Sequence, residues 1–469
     1  MKHLLLQLNS TYKAYMAIMI VAICVSSINL SCKKFLDAKS NDKFTTPTTL
    51  ADLQAMMDNS EKMNNKSPSY DEASADDYFL TPENFARLNI RAQQAYVWEQ
   101  NPNEHPNDWG RLSETVYGTN VCLETAEKLI NSGTPRQELN NVIGSALFYR
   151  AFAWLKQSWI YCQTYDESSA KTDLGIVIRK ISDINMPSKR SDLETVYSQI
   201  IGDLKQAIEL LPNTQLHVLR PTKAAAYALL ARTYLSMRKY EQTLQNAEKC
   251  LAIKSDLIDY NTINTTNTAP FQSYNPEVIF HAEISSYSYF NIQATYGTVD
   301  STLYTSYNQN DLRKSVFFAP TGKYNYFKGT YLSRALGSGS TFTGLATDEV
   351  YLMKAECLAR KGNADEAMAT LNILMKKRWK STVPFPAVVA SSSADALAIV
   401  LRERRKELLF RGLRWMDIKR LNKEGYQISL RRILAGTPYT LEPNSIKFAL
   451  PIPMDIIQLT GIPQNPGWQ

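Results

Sequence analysis

Residues 220–251 read RPTKAAAYALLARTYLSMRKYEQTLQNAEKCL, and residues 350–379 read VYLMKAECLARKGNADEAMATLNILMKKRW. Each holds two helix-length stretches separated by a short turn. In the first, Ala224, Ala228 and Ala231 recur at helical spacing and leave room for a partner helix to approach closely. Tyr234 and Tyr240 bracket its turn, and Ala247 follows on the second stretch. In the other segment Ala355, Leu358, Gly362, Ala367 and Leu371 occupy comparable places. Two helical hairpins with small residues at the crossing predict a mainly α fold.

The period of about 34 residues is that of tetratricopeptide units, although most of the Trp-x-x-Leu-Gly signature is missing. The expected architecture is therefore a tetratricopeptide-like scaffold of helical hairpins. Upstream, 192–212 (DLETVYSQIIGDLKQAIELLP) has Ser191 as a candidate cap and Pro212 as a stop. Val196, Ile200, Leu204, Ala207, Ile208 and Leu211 form its apolar face. Residues 139–161 carry Phe148, Phe152, Leu155 and Trp159 as a further core-facing stripe. Between these helices the texture changes. Residues 259–346 are rich in Tyr, Asn, Thr, Ser and Gly, and 60–112 hold aromatic residues among Asn, Pro and Asp. This is loop and short-strand composition, and long structured loops on a rigid frame are where binding resides.

The N-terminal residues read as an export signal. Lys2 and Lys13 lead into an apolar run at 14–28, followed by Asn29-Leu30-Ser31-Cys32. The run is shorter than the roughly 20 residues of a membrane-spanning helix, and the basic head and small residue before the cut fit a signal peptide. Cys32 just after that residue fits the lipoprotein variant, in which the thiol is acylated and becomes the new N-terminus. The expected organisation is a signal peptide at 1–31 and one domain at 32–469, with loop-rich insertions near 60–112 and 259–346.

Composition excludes several function classes. The formal charge of +7 becomes +5 once Lys2 and Lys13 are removed, because no acidic residue precedes Cys32. The remaining charges are interspersed, without the basic block of a nucleic-acid arm. Cys122, Cys162, Cys250 and Cys357 stand singly in helical segments, as buried free thiols do. Neither a HExxH helix, a GxSxG elbow nor a phosphate loop is present, and Gly337-Ser338-Gly339 lacks a strand-to-helix context. No catalytic residue, metal or cofactor is expected. Asp76-Asp77 and Asp348-Glu349 are adjacent acidic pairs of the kind that solvates a surface or a helix start. The run 402–407 (RERRKE) and Arg414-Trp415-Met416-Asp417 predict structural i,i+3 and i,i+4 ion pairs around a buried Trp415. Trp468 in the proline-rich tail predicts a groove-filling anchor. For ligand recognition the candidates are Trp98 and Asn101, with Tyr296 as a further one. An aromatic face stacks on the C–H face of a sugar ring, and an amide both donates to and accepts from hydroxyls.

A series of landmarks in order along the chain resembles the SusD/RagB family of outer-membrane nutrient-binding lipoproteins of Bacteroidetes. They include FLD at 35–37, PTTLADLQ at 47–54, DLKQAI at 203–208, AAYALLAR at 225–232, RRKEL at 404–408, GLRWMDI at 412–418, LPIP at 450–453 and QNPGW at 464–468. Arg411 departs from the pattern, standing where the family has Glu before Gly412. Lys33-Lys34 follow Cys32 without an acidic cluster of the kind that promotes export to the cell surface. The resemblance implies four helical hairpins with an irregular ligand-binding half, and a TonB-dependent outer-membrane transporter (SusC-like) as partner. It implies a lipid-anchored outer-membrane protein facing the cell exterior that binds an oligosaccharide without catalysis and delivers it to that transporter. Two other readings stay open: capture of peptides by the same scaffold, and a protein-interaction scaffold without a small-ligand site.

Overall fold

The computed structural model describes residues 47–99, 107–284, 296–334 and 340–468, so Cys32 and Asn101 lie outside the described residues. Among the described residues the nine longest helices are α1 (Asp108–Asn131), α2 (Arg136–Tyr161), α3 (Leu193–Leu210), α4 (Lys223–Ser236), α5 (Tyr240–Ile253), α6 (Thr347–Arg360), α7 (Ala364–Arg378), α8 (Ser393–Glu407) and α9 (Arg414–Asn422). Chain neighbours pack pairwise: α1 on α2, α2 on α3, α3 on α4, α4 on α5 and α6 on α7. Helix α6 also packs on α5 and α8, which closes the tetratricopeptide-like frame. Among the described residues no helix is long and apolar enough to cross a membrane.

The frame follows from the periodicity. Every residue of α2 from 142 to 161 is buried, which places it at the centre of the helical layers. Ala224, Ala228, Ala231 and Ala247 are at most 1% exposed, so the α4–α5 crossing is built on methyl groups. The two repeats end their first helices alike. Lys239 N–H donates to Tyr234 O and Asn363 N–H to Leu358 O, with Arg238 and Gly362 at φ 62° and 97°. These are the same left-handed cap; glycine takes it freely, whereas Arg238 takes it against a steric cost. One expected detail changes: α3 is capped by Asp192, whose carboxylate accepts from Thr195 N–H, not by Ser191.

The loop-rich part is less loop-like than its composition suggests at 60–112, where short helices Tyr70–Ser74, Pro82–Ala86 and Ile90–Tyr96 precede α1. The strands of the described residues form five two-stranded ladders. In one, Leu430–Leu434 pairs with Thr437–Leu441 across Ala435 and Gly436, both at positive φ, the two-residue turn that matches strand twist.

Carboxylates and guanidiniums are buried at the joint between frame and loops. Arg378 of α7 bonds Glu407 of α8 and Glu277 of the loop half, both at 2.8 Å. Arg313 bonds Asp311 at 2.7 Å, Glu403 at 2.5 Å and Glu407 at 3.1 Å. Arg232 of α4 holds Glu349 at 2.5 Å, and Arg411 holds Asp348 at 2.7 Å. Two expectations are corrected here. Asp348 and Glu349 are buried ion-pair partners, not a solvated helix start. The charged run of α8 is structural, but its main partners are remote in sequence; local pairing is confined to Lys406–Glu403 and Arg402–Glu403. A local pair on an exposed helix face needs no burial, whereas here the helix is covered and each charge needs a partner from the covering segment.

The C-terminal motif locks onto the same body. Gln464 bonds both the N–H and the carbonyl of Ile452, and the Asn465 amide donates to Tyr161 O and Leu450 O. Gly467 has φ 86°, and a Cβ there would meet Ile446 at 2.9 Å. Trp468 is 3% exposed and donates to Ala449 O at 2.7 Å. Trp415 is 1% exposed and packs on Phe448 with ring centroids 4.8 Å apart. Trp415→Ala is expected to cost roughly 3–5 kcal/mol, as aromatic truncations in cores do. Denaturant unfolding of the two proteins measures it, and an unchanged midpoint contradicts the packing role.

Candidate ligand-binding site

The sequence DEASADDYFL at 71–80 is the strip on which the site is built. Asp108 at the start of α1 receives the N–H groups of Ser69 and Tyr70 at 2.8 and 2.9 Å and so fixes the first turn of Tyr70–Ser74. Asp76 bonds Arg414 at 2.7 Å and Arg405 at 3.3 Å, and Asp77 bonds Arg405 at 2.8 Å. Asp76-Asp77 is therefore a clamp onto α8 and α9 and not a solvated pair, a second correction of the acidic doublets. Burial opposes charge on Asp76, but Arg414 and Arg405 overcome it and hold the carboxyl well below its usual range. On Asp77 burial prevails and pushes the carboxyl up despite Arg405.

Beside the clamp, Tyr78, Phe79, Leu80, Tyr96 and Trp98, with Leu430, Arg431, Arg432 and Ile433 of the hairpin and with Asp300 and Ser301, line a cleft of about 320 Å³. Arg432 organises the aromatic wall. Its guanidinium carbon lies 3.6 Å from the Tyr96 ring centroid, 4.7 Å from Trp98 and 5.5 Å from Tyr78. Its N–H groups donate to the carbonyls of Tyr96, Ala73 and Ala75. Stacking and carbonyl contacts of this kind suit the planar guanidinium far better than an ammonium.

Trp98 lies in this wall, 4% exposed, with its indole N–H on Ser74 O at 3.0 Å. Its φ of 56° is left-handed, a strained conformation for so bulky a residue. With Arg432 over the ring, Trp98 has little free face to offer a sugar and acts as part of the wall. Tyr296 is half-buried at a neighbouring position. Helix Pro82–Ala86 links the two: Phe85 packs on Tyr96 with centroids 5.9 Å apart, while Asn84 donates to Tyr296 O at 3.1 Å. Arg87, just beyond, sits 5.0 Å over the Tyr296 ring. Phe79, edge-on to Tyr324 at 5.1 Å, adds a half-buried aromatic pair.

Of the candidates named from the sequence, Trp98 lines this cleft and Tyr296 lies beside it, whereas Tyr96, Arg431 and Arg432 carry no such mark in the sequence. The trace in the sequence is slight: Leu430–Leu434 alternates buried and exposed residues in the structure, but its buried Arg432 and exposed Ile433 break the hydropathic alternation of a strand, and only Ala435-Gly436 marks the turn. A larger cleft of about 510 Å³ lies at 177–195, but its lining holds no aromatic side chain. Sugar recognition favours flat apolar faces, which the smaller cleft has.

The fold and this cleft define a helical-repeat binding protein. Residues 231–468 match the model described as SusD family, and residues 34–235 match a SusD-like model described as starch-binding associating with outer membrane. The chain belongs to the SusD family. At the level of the family these are outer-membrane, cell-surface proteins that bind glycans without catalysis and work with SusC-like transporters. Among relatives, SusD-like protein P2 of Formosa agariphila is 24% identical over 417 residues, covering 77% of this chain and 80% of that one. A SusD superfamily protein of Bacteroides thetaiotaomicron superposes with a TM-score of 0.73 at 20% identity, covering 89% of this chain and all of the other. A SusD-like carbohydrate binding protein of Bacteroides vulgatus gives 0.62 at 18% identity, with 87% and 96% covered. These structural likenesses bear on the fold.

The strip under the cleft is tuned by pH. Burial pushes the Asp71 carboxyl up to about 6, and burial with Asp77 and Asp71 nearby raises Glu72 well above its usual value. A carboxyl raised on folding binds its proton more tightly in the native state. Its contribution is complete below the ordinary carboxylate value and is lost as pH rises through the raised one. For Asp71 that window runs from about pH 4 to 6 and is worth roughly 3 kcal/mol. The melting temperature should therefore fall from mildly acidic pH toward pH 8. Glu72→Gln, which keeps an acceptor for Gly412 N–H, should flatten that fall. Parallel melting curves for the two proteins would refute this assignment.

Proposed function

We propose that this protein captures an oligosaccharide at the Trp98–Tyr296 face, without catalysis, and passes it to a partner TonB-dependent outer-membrane transporter. The observation that carries the reading is the aromatic wall held by Arg432, flanked by the half-buried rings of Tyr296, Phe79 and Tyr324 on the loop-rich side of a SusD-family frame. Division of labour follows. Trp98 and Tyr96 fix the shape of the cleft, the outer rings meet the sugar, and polar groups of the hairpin orient it. Asn101, following closely on Trp98 in the chain, is assigned to hydrogen bonding of sugar hydroxyls. The Bacteroides vulgatus relative is a SusD-like carbohydrate binding protein, which supports the ligand class.

Membrane attachment is assigned to acylated Cys32, with the domain of residues 32–469 outside the membrane. Acyl chains bury methylenes at about 0.8 kcal/mol each, sufficient to hold a soluble body on a bilayer when more than one chain is attached.

Two experiments test these assignments. Tyr296→Ala, at a half-buried position, should lower the melting temperature less than Trp98→Ala, a core truncation, and should weaken oligosaccharide binding by about 1–3 kcal/mol. Calorimetry with an oligosaccharide panel and a thermal scan read both; unchanged affinity in Tyr296→Ala places the contact elsewhere. Cys32→Ala should move the protein from the membrane to the soluble fraction, and mass spectrometry of the wild type should find acyl chains on Cys32. A variant that still sediments with membranes rejects the anchor.

A further inference from the structure

The cleft beside Trp98 is unevenly charged. Arg432 lies in its wall, 6% exposed, and is met by three backbone carbonyls and by ring faces. No carboxylate among the described residues pairs with it, so its formal charge is softened but not cancelled. Arg431, its neighbour on the strand, lines the same cleft with its side chain exposed, and has neither a hydrogen bond nor an ion pair among the described residues. Of the two carboxylates of the lining, Asp76 is offset by Arg414 and Arg405, while Asp300 caps the helical turn Ser301–Thr305 by accepting from Leu303 N–H at 2.7 Å and keeps its charge, so two guanidiniums face one uncompensated carboxylate. Fixed cations inside a low-dielectric cleft focus a positive potential at its mouth.

We infer that the ligand of this cleft is an anionic glycan, a sugar chain bearing carboxylate or sulfate groups, with Arg431 as its contact. This rests on the reading of the cleft as a glycan site and narrows it to a substrate class. Carboxylate and sulfate each present oxygens that a planar guanidinium grips two at a time, in charge-assisted hydrogen bonds about twice as strong as neutral ones. A neutral sugar has no such group to place there. Arg432 is committed to the wall and contributes through its field; Arg431, held by no partner among the described residues, can move onto the ligand.

The test uses the purified full chain, wild type and Arg431→Gln, and pairs of oligosaccharides that differ only in charge. Oligogalacturonate is compared with its methyl ester, and a sulfated oligosaccharide with its desulfated form; neutral glucan, xylan and mannan oligomers complete the panel. At low salt the charged member of a pair should bind on the order of tenfold more tightly, and the pair that responds tells carboxylate from sulfate. The preference should shrink in about 1 M NaCl, where the screening length falls to roughly 3 Å. Arg431→Gln should remove most of it without shifting the melting temperature. Equal binding of charged and neutral forms, or a preference that Arg431→Gln leaves intact, overturns the inference. Binding of neutral oligomers alone overturns it too, while leaving the glycan reading standing. Failure of every oligosaccharide in the panel overturns both.

Discussion

The buried guanidinium–carboxylate network between helices α7, α8 and the loop half is the constraint on which the remaining structure depends. Glu277 of the loop half and Glu407 of α8 both accept from Arg378, and Arg313 reaches back to Glu403 and Glu407. Taking such charges out of water is expensive, and the cost is recovered only where every partner is present in good geometry. Removal of one member leaves an uncompensated charge in the interior, so the network tolerates one arrangement of loops on the frame and few others. The Tyr331 hydroxyl donates to Glu277 Oε2, an oxygen that Arg378 leaves open, and lies 3.2 Å from Asp348 Oδ2, which Arg411 holds. Arg411 enters the same system through Asp348 and the Tyr331 ring, 4.2 Å away. That is how a cation at this position fits.

A second clamp transmits the order to the cleft. Asp76 and Asp77 bind Arg405 and Arg414 on the frame, and the same strip supplies Ser74 O to Trp98 and Ala73 O and Ala75 O to Arg432. The wall is therefore tied to the helices through fewer than ten residues of chain. Holding Trp98 at positive φ costs free energy, and the contacts around it are numerous enough to sustain the conformation. Geometry of this kind gives a ligand a prepared surface, which reduces the ordering cost of binding.

How much of this the chain itself discloses depends on the range of each interaction. The hairpins at 220–251 and 350–379 were readable because helix periodicity and small crossing residues are local patterns. The Trp415 and Trp468 anchors were readable for a related reason: a large aromatic among helix or proline signals has few places to go. Pairings such as Arg313 with Glu403, ninety residues apart, have no local trace, so acidic doublets looked like surface and the α8 charges looked self-sufficient. The site divides the same way. Aromatic residues amid turn-formers marked 78–98 and Tyr296 as interesting, but burial of Trp98 is decided by Arg432, which arrives from more than three hundred residues downstream. The strand carrying it was overlooked because a five-residue strand has a weak signature beside a long helix.

Fold and specificity consequently rest on different chemistries in this protein. Charges that hold the frame are buried and held by carboxylates, as Arg378 and Arg313 are, or by carbonyls, as Lys419 is, and substitution there acts on stability. Around the cleft the shaping groups are buried as well, but Arg431 and Ile433 of its lining are exposed, and Tyr296 beside it is half-buried. Exposed positions on a rigid wall can change identity without disturbing the network beneath them, since surface substitutions away from buried features cost little. Ligand choice can therefore be rewritten at the rim while the buried clamps continue to dictate where that rim is held.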